Sequence, residues 1–445
     1  MEDGKKQIIF FTTTVPLPPN GGGTRSFYIA KALAEIGDLD IVVFNSLNAD
    51  EKARLQSICK DLTYVDSVDL HNRHLKKVLV PFKWLLPFFM SNYELNGRIH
   101  KFLSKENFGS PIIQKIGLRW LLFWFGRRRD AQPFLVYIST NAIAYLKKNI
   151  DQSLNSTKKI LVFDFSYLIP YLSTQFNLSP HYIISNSHNV ESDIIEKSIL
   201  LQEDQVQRKW QILQHRFMKK AEVQSLAISK MTLCCSNEDK KRFEQLDHAA
   251  NIRVLPNGVD ADYFQSSTRN ERPHHLLFTG TMTYGPNAEG MIWFIKNIFP
   301  VLQKKYPGAT LVIAGRGADT LFIKEHKNII IIADPPDMRP YFNEASVYIV
   351  PLLTGGGTRL KILEAAAMHK AVISTSIGAE GLEGLNPDSI VIADTVDAFI
   401  EEIGSLFENE EKRRRLSGNI YTWVTQNYTW NKVTSALNDI LASTN

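Results

Sequence analysis

Short runs of β-branched and aromatic residues recur along the chain, separated by longer stretches in which apolar positions follow helical spacing. Residues 7–12 form the first such run. A loop with three prolines and Gly21-Gly22-Gly23 follows, then a predicted helix over about 24–36 and a strand over 39–44. This βαβ opening with a glycine-rich first turn marks an open parallel sheet. Further buried strands are predicted at 133–138, 160–165, 182–184, 231–235 and 252–255, with a long charged helix over roughly 190–226.

Residues 257–275 are polar, contain proline and lack periodicity, so they read as a linker. Beyond them the alternation restarts. Strands are expected at 276–279, 310–314, 329–332, 347–350 and 371–374, and helices at 287–303 and 358–369. The expected fold class is α/β, with two doubly wound Rossmann-like domains facing across a cleft. The N-terminal domain spans 1–256, the linker 257–275 and the C-terminal domain 276–425, with a last helix over 426–445 crossing back to the N-terminal domain. Ligands of such sheets bind outside the carboxyl ends of the strands, so this layout favours an enzyme whose two substrates meet between domains.

Composition narrows the class. With 445 residues, 44% apolar and 22% charged, the chain is long enough for a sizeable core in each half. Its three cysteines, Cys59, Cys234 and Cys235, cannot build a disulfide framework, which fits a reducing cytosol. No signal-peptide pattern opens the chain, and no apolar run reaches the ~18 residues of a membrane span. P-loop, zincin and nucleophile-elbow motifs are absent. Asp260 and Asp262 could be called a metal-binding pair but read better as a turn, and no metal or cofactor is expected.

The densest chemistry lies in Pro351-Leu-Leu-Thr-Gly-Gly-Gly-Thr-Arg-Leu-Lys-Ile-Leu-Glu364. After a strand, Gly355, Gly356 and Gly357 let backbone approach a ligand closely. Thr358 is positioned to cap the next helix, whose N-terminus favours anions. Arg359 and Lys361 add positive charge, and Glu364 can accept hydrogen bonds from vicinal sugar hydroxyls. Together they suit a nucleoside diphosphate. Gly280 and Arg316 follow two other strands of the same half. In the first half, Gly22 and Gly23 follow the first strand. His188 follows the strand at 182–184, and Asp164 holds a similar strand-end position with a weaker claim. A dinucleotide reading fails, because Gly21-Gly22-Gly23-Thr24-Arg25 is not G-x-G-x-x-G and residues 44 and 45 are Phe and Asn rather than an acid.

At these residues the chain resembles the family-4 retaining glycosyltransferases with the GT-B fold, most closely those that build bacterial surface polysaccharides and lipid-linked glycans. The likeness runs over most of the chain. It is strongest over 187–191, 256–260 and 276–382, and includes Ser376-Ile-Gly-Ala-Glu-Gly-Leu382. It implies roles: Glu364, the second acid of the family's E-x7-E motif, holds the nucleotide ribose. Gly22 and Gly23 lie near the donor phosphates, His188 contacts the transferred sugar, and Gly280 opens the donor domain. Two departures stand out. The first acid of the motif falls on Gly356, and the family's Arg and Lys in the loop after the first C-domain strand are replaced by Thr281-Met-Thr-Tyr-Gly-Pro-Asn287. Arg359 and Lys361, with Arg316, are then expected to supply the counter-charge. The resemblance implies a hexosyltransferase using a nucleotide-diphosphate sugar, and a glycan or lipid-linked acceptor, without metal. A nucleotide-sugar epimerase or a non-catalytic nucleotide-sugar-binding protein on the same scaffold is the alternative.

Charge is unevenly spread. Residues 71–130 carry twelve Lys or Arg and three acids, a local +9 against +5 for the whole chain. They also hold aromatic-rich apolar runs at 78–90 and 120–125 that are too short to span a bilayer. This combination predicts an interfacial segment on an anionic membrane surface, placing the protein in the cytoplasm at the inner face of the plasma membrane. The bland alternative is a core insertion with a basic rim. Nucleic acid is a poorer fit, because the aromatics do not interleave with the basic residues.

Overall fold

The computed structural model describes residues 6–18, 21–64, 154, 158–174, 176–202, 205–266, 270–321 and 327–442. The predicted strand at 133–138 and the basic aromatic segment 71–130 lie outside these residues. The chain separates into two compact units. Unit 1 is Met1–Leu233 with Arg242–Arg253, and unit 2 is Cys234–Lys241 with Val254–Asn445, including the last helix, Trp430–Ala442.

A seven-stranded sheet is built from β1 (Lys6–Thr12), β2 (Gly37–Val43), β3 (Asp61–Tyr64), β4 (Ile160–Asp164), β5 (Tyr182–Asn186), β6 (Met231–Cys234) and β7 (Ile252–Val254). The order is β3-β2-β1-β4-β5-β6-β7, and β1 pairs in parallel with both β2 and β4. Ile8 to Phe11 are all buried, as expected of a parallel strand covered on both faces. The order reverses at β1 and β4, so the loops leaving these two strands diverge and open a crevice at their carboxyl ends. The register sets Thr12 beside Asp164 and Asp164 beside Asn186 at that end.

Unit 2 repeats the plan with β8 (His275–Thr279), β9 (Thr310–Gly315), β10 (Ile329–Ala333), β11 (Val347–Val350), β12 (Val372–Ser374) and β13 (Val391–Ile392), in the order β10-β9-β8-β11-β12-β13. Its reversal lies between β8 and β11, which pair in parallel. The loop after β8 therefore starts at Gly280, and the loop after β11 is the glycine-rich stretch 351–359. Two parallel-stranded α/β sheets are what the hydrophobic pattern predicted.

Several element boundaries differ from expectation. The first helix begins at Gly21, so the three glycines form its opening turn rather than a loop before it. The long charged helix is two, Glu191–Leu201 and Gln205–Ile228. The helix expected over 287–303 is also two, Gly285–Asn297 and Phe299–Lys305. Pro300 explains this break, since its ring clashes with the carbonyl four residues back and it donates no bond. At the start of the expected linker, Gly258 packs against Trp430, where a Cβ would come within 2.8 Å of the Trp430 nitrogen. Among the described residues, no helix is long and apolar enough to cross a membrane.

Candidate active site

In unit 1, the carboxyl ends of β1, β4 and β5 converge on one carboxylate. Asp164 is fully buried. Its Oδ2 accepts from Ser26 Oγ at 2.5 Å and Thr12 Oγ1 at 2.9 Å. Its Oδ1 accepts from Asn186 Nδ2 at 2.8 Å and meets His188 Nε2 at 2.7 Å. Burial opposes ionisation of Asp164, but the charge and hydrogen bond of His188, then the bonds of Ser26 and Thr12, outweigh it and hold the carboxyl below its ordinary pKa. An ionised carboxylate can only accept, so Nε2 of His188 carries the proton and the ring is fixed in orientation. Phe165 stacks on that ring, centroids 4.4 Å apart, from a backbone at φ 92°, a strained value for a residue with a Cβ. Arg25, 1% exposed, donates from Nη2 to Asn186 Oδ1 at 2.9 Å. Gly22 accepts from Ser26 Oγ through its carbonyl, and Gly23 is buried beside it in the same first turn.

Sequence reasoning ranked His188 above Asp164. The structure makes Asp164 the hub, with Thr12, Ser26 and Asn186 as partners that had not been singled out. A strand-end polar residue in each of β1, β4 and β5 was the available signal.

In unit 2, the ends of β8 and β9 approach so closely that a Cβ on Gly315 would stand 2.1 Å from the Gly280 carbonyl oxygen. Beside them, Lys361 Nζ donates to Asn287 Oδ1 at 2.6 Å and lies 4.1 Å from the centroid of the Phe278 ring. Gly280 makes room for this pair: a Cβ there would lie 2.8 Å from Asn287 Nδ2 and 3.0 Å from Lys361 Nζ. Its φ of 155° also suits glycine. Desolvation, then the Arg359 charge, push Lys361 well below the usual lysine range against the pull of Glu364. Desolvation raises Glu364 to about 7 despite Lys361. Lys361 and Glu364 nevertheless keep part of their surface open, so they are not sealed in the core. Arg316 is exposed on the loop after β9.

Two expectations need correction. Thr358 does not cap the following helix, which runs Leu360–Ala367 with Arg359 at the N-cap and no side-chain cap. The Thr358 hydroxyl donates instead to the Cys235 carbonyl at 2.8 Å, and the Thr358 carbonyl accepts from Asn257 Nδ2 at 3.1 Å. Nor does Arg359 stand as a second open cation beside Lys361. It is 8% exposed and folds under the loop, donating from Nη1 to the Gly356 carbonyl and from Nη2 to that of Ile377 at 3.3 Å. Gly355, at φ 129°, clears the way, since a Cβ would sit 2.7 Å from Arg359 Nη2. Arg359 thus shapes the Gly355–Gly357 loop. Asn287, the partner of Lys361, was missed because it lies 74 positions away in sequence and meets the lysine only through the order of strands in the sheet.

Residues 273–409 match the family model described as Glycosyl transferases group 1. An uncharacterized 44.6 kDa protein in the cps region of Klebsiella pneumoniae is 21% identical over 97% of this chain and 98% of its own length. A glycogen synthase of Mycobacterium tuberculosis is 25% identical over 42% of this chain and 47% of its own length. Among solved structures, HepE of Anabaena in complex with UDP superposes with a TM-score of 0.61 at 10% identity, covering 98% of this chain and all of that one. A TarM variant of S. aureus, solved with fondaparinux, α-GlcNAc-glycerol and UDP, gives 0.63 at 11% identity over 98% and 99% of the two chains. At such identities the structural likeness establishes the fold, while the family match spans Gly280, Asn287, Lys361 and Glu364. Residues 273–409 thus match a group 1 glycosyltransferase domain, and the chain is a glycosyltransferase enzyme with the GT-B fold.

Proposed function

We propose that the chain is a retaining glycosyltransferase of the family-4 kind, moving a hexose-type sugar from a nucleotide-diphosphate donor to a glycan or lipid-linked acceptor in surface-polysaccharide synthesis. The observation that carries this is the partly open Lys361, held by Asn287 and electrostatically coupled to Glu364, beyond the carboxyl ends of β8 and β11. A desolvated amine beside a helix N-terminus is suited to a diphosphate, whose negative charge favours the lysine's protonated form. Glu364, one turn beyond Lys361, suits the ribose hydroxyls. HepE binding UDP on the same fold, and the cps-region relative, support the donor class and the setting.

In the reaction, the bond from the anomeric carbon to the diphosphate oxygen breaks. A bond to the acceptor oxygen forms on the same face, and the acceptor's proton passes to the departing phosphate. Negative charge grows on the leaving oxygens, where Lys361 and backbone amides stabilise it. His188, held by Asp164 and Phe165, serves the transfer step. No metal is assigned a role, and chelation with EDTA should leave the rate unchanged. The segment 71–130, by its charge and aromatics, docks the protein on an anionic membrane surface; flotation with anionic liposomes at low salt tests this, and no binding refutes it. For the reaction, nucleotide release from sugar nucleotides is measured with and without a lipid-linked acceptor. A new glycan supports transfer, release without one favours hydrolysis or epimerisation, and binding without release favours a sensor.

A further inference from the structure

We propose that Glu289 reads the donor sugar and restricts it to neutral, hydroxyl-rich pyranoses. The glycine-rich loop, Pro351-Leu-Leu-Thr-Gly-Gly-Gly-Thr358, holds no acid of its own, and Arg359 reaches it from the start of the next helix as a donor. A sugar presented there offers hydroxyl donors, for which a carboxylate is the strongest side-chain acceptor. Helix 285–297 brings one. Glu289 Oε2 accepts from Thr354 Oγ1 at 3.2 Å, directly before Gly355. Thr354 is 2% exposed, whereas Glu289 is exposed, so a buried hydroxyl of the loop ties down a solvent-accessible acid. One bond from Thr354 leaves acceptor capacity on a group with roughly four lone-pair sites.

The neighbouring residues show that this placement is built rather than incidental. Gly290 lets the helix lie against the loop itself, since a Cβ there would stand 2.4 Å from the Pro351 carbonyl oxygen. On the same turn Asn287 grips Lys361. A single helical turn thus fixes the loop backbone, the amine assigned to the diphosphate, and a carboxylate on the loop. Pre-organisation of this kind is what a substrate-reading group needs. A fixed carboxylate also repels a uronate, so it selects against acidic sugars.

Because the assignment rests on the donor-binding role proposed above, the test separates nucleotide from sugar. Affinities for the bare nucleoside diphosphate, a neutral sugar nucleotide such as UDP-glucose or GDP-mannose, and a UDP-uronate are measured for wild type, Glu289→Gln and Thr354→Val. In Glu289→Gln we expect the neutral sugar nucleotide to weaken at least tenfold, the bare diphosphate to stay within twofold, and the neutral-to-uronate preference to fall at least tenfold. Thr354→Val should change the neutral sugar nucleotide less than Glu289→Gln does. Unchanged sugar affinity and preference in Glu289→Gln would overturn the proposal. So would equal losses for diphosphate and sugar nucleotide in both variants, which mark Glu289 as a loop staple. Failure of the wild type to bind any nucleotide or sugar nucleotide overturns the donor-binding reading itself, and this assignment with it.

Discussion

Replacing Lys361 with Met should weaken nucleotide binding without weakening the fold. Methionine keeps most of the apolar stem over Phe278 and removes the amine. Without a ligand, the amine donates to Asn287 and sits in surroundings that disfavour its charge, through desolvation and the nearby Arg359. Its removal costs a hydrogen bond worth about 1 kcal/mol and a cation–π contact of about 0.5–2 kcal/mol. Relief of the disfavoured cation offsets both, so the melting temperature should move by no more than about 4 °C. With a diphosphate bound, the amine makes a charge-assisted bond worth about 1.5–3 kcal/mol, so affinity should fall by roughly 10- to 150-fold. Calorimetric titration with UDP or GDP, beside thermal unfolding, reads both quantities. The lowered lysine pKa adds a sign. The unfolded chain holds the Lys361 proton at pH values where the folded chain has released it, so wild-type stability relative to Lys361→Met should rise with pH between the lowered value and the ordinary 10.5. Nucleotide affinity should fall as pH rises through the lowered value, where the free protein releases this proton, and Lys361→Met should lose that dependence. Nucleotide affinity within twofold of wild type in Lys361→Met would refute the phosphate role, and a large loss of stability with affinity intact would mark the lysine as structural.

Asp164→Ala leaves four donors without their common acceptor inside unit 1, and loss of a buried charge partner of this kind costs about 3–5 kcal/mol. Because the folded pKa of Asp164 is lowered, its contribution is intact above the ordinary 3.8 and lost as pH falls through the folded value, which acid unfolding of wild type against Asp164→Asn should show. His188→Ala should cut turnover while sparing nucleotide affinity, and the reverse pattern in steady-state kinetics would remove it from the transfer step. Arg359→Ala should disorder the glycine loop and lower kcat/KM by roughly 100-fold through misplacement of the site, and added guanidinium should not restore the rate if the bonds to Gly356 and Ile377 fix the loop. Glu364 titrates near 7, raised by burial, so the folded state holds its proton more tightly than the unfolded chain. Wild-type stability relative to Glu364→Gln should therefore fall as pH rises from about 4.5 through 7, while donor affinity rises as the carboxylate forms.

Much of this was visible in the residues themselves. Parallel strands covered on both faces must be apolar throughout, so runs such as 8–11 and 347–350 announce themselves in one dimension. Glycines at strand ends and His188 after β5 were legible because ligands of such sheets lie beyond the carboxyl ends of the strands. The +9 segment was equally plain, being a matter of composition.

What stayed hidden depends on which strands are neighbours and which rotamers fit. The order β3-β2-β1-β4-β5 sets Thr12, Asp164 and Asn186 side by side, although Thr12 and Asp164 are 152 positions apart. The reversal at β8 and β11 brings Asn287 to Lys361 and Glu289 to Thr354. Arg359 read as an exposed cation because its letter carries only charge. The packing gives it carbonyl partners at Gly356 and Ile377, and a buried guanidinium must find such acceptors. The sequence by itself determined most of the described strands and the glycines at their carboxyl ends, where a ligand of such sheets lies. The tertiary structure alone decided which charges remain open to that ligand, because desolvation and hydrogen-bond partners are properties of neighbours in space, not of neighbours along the chain.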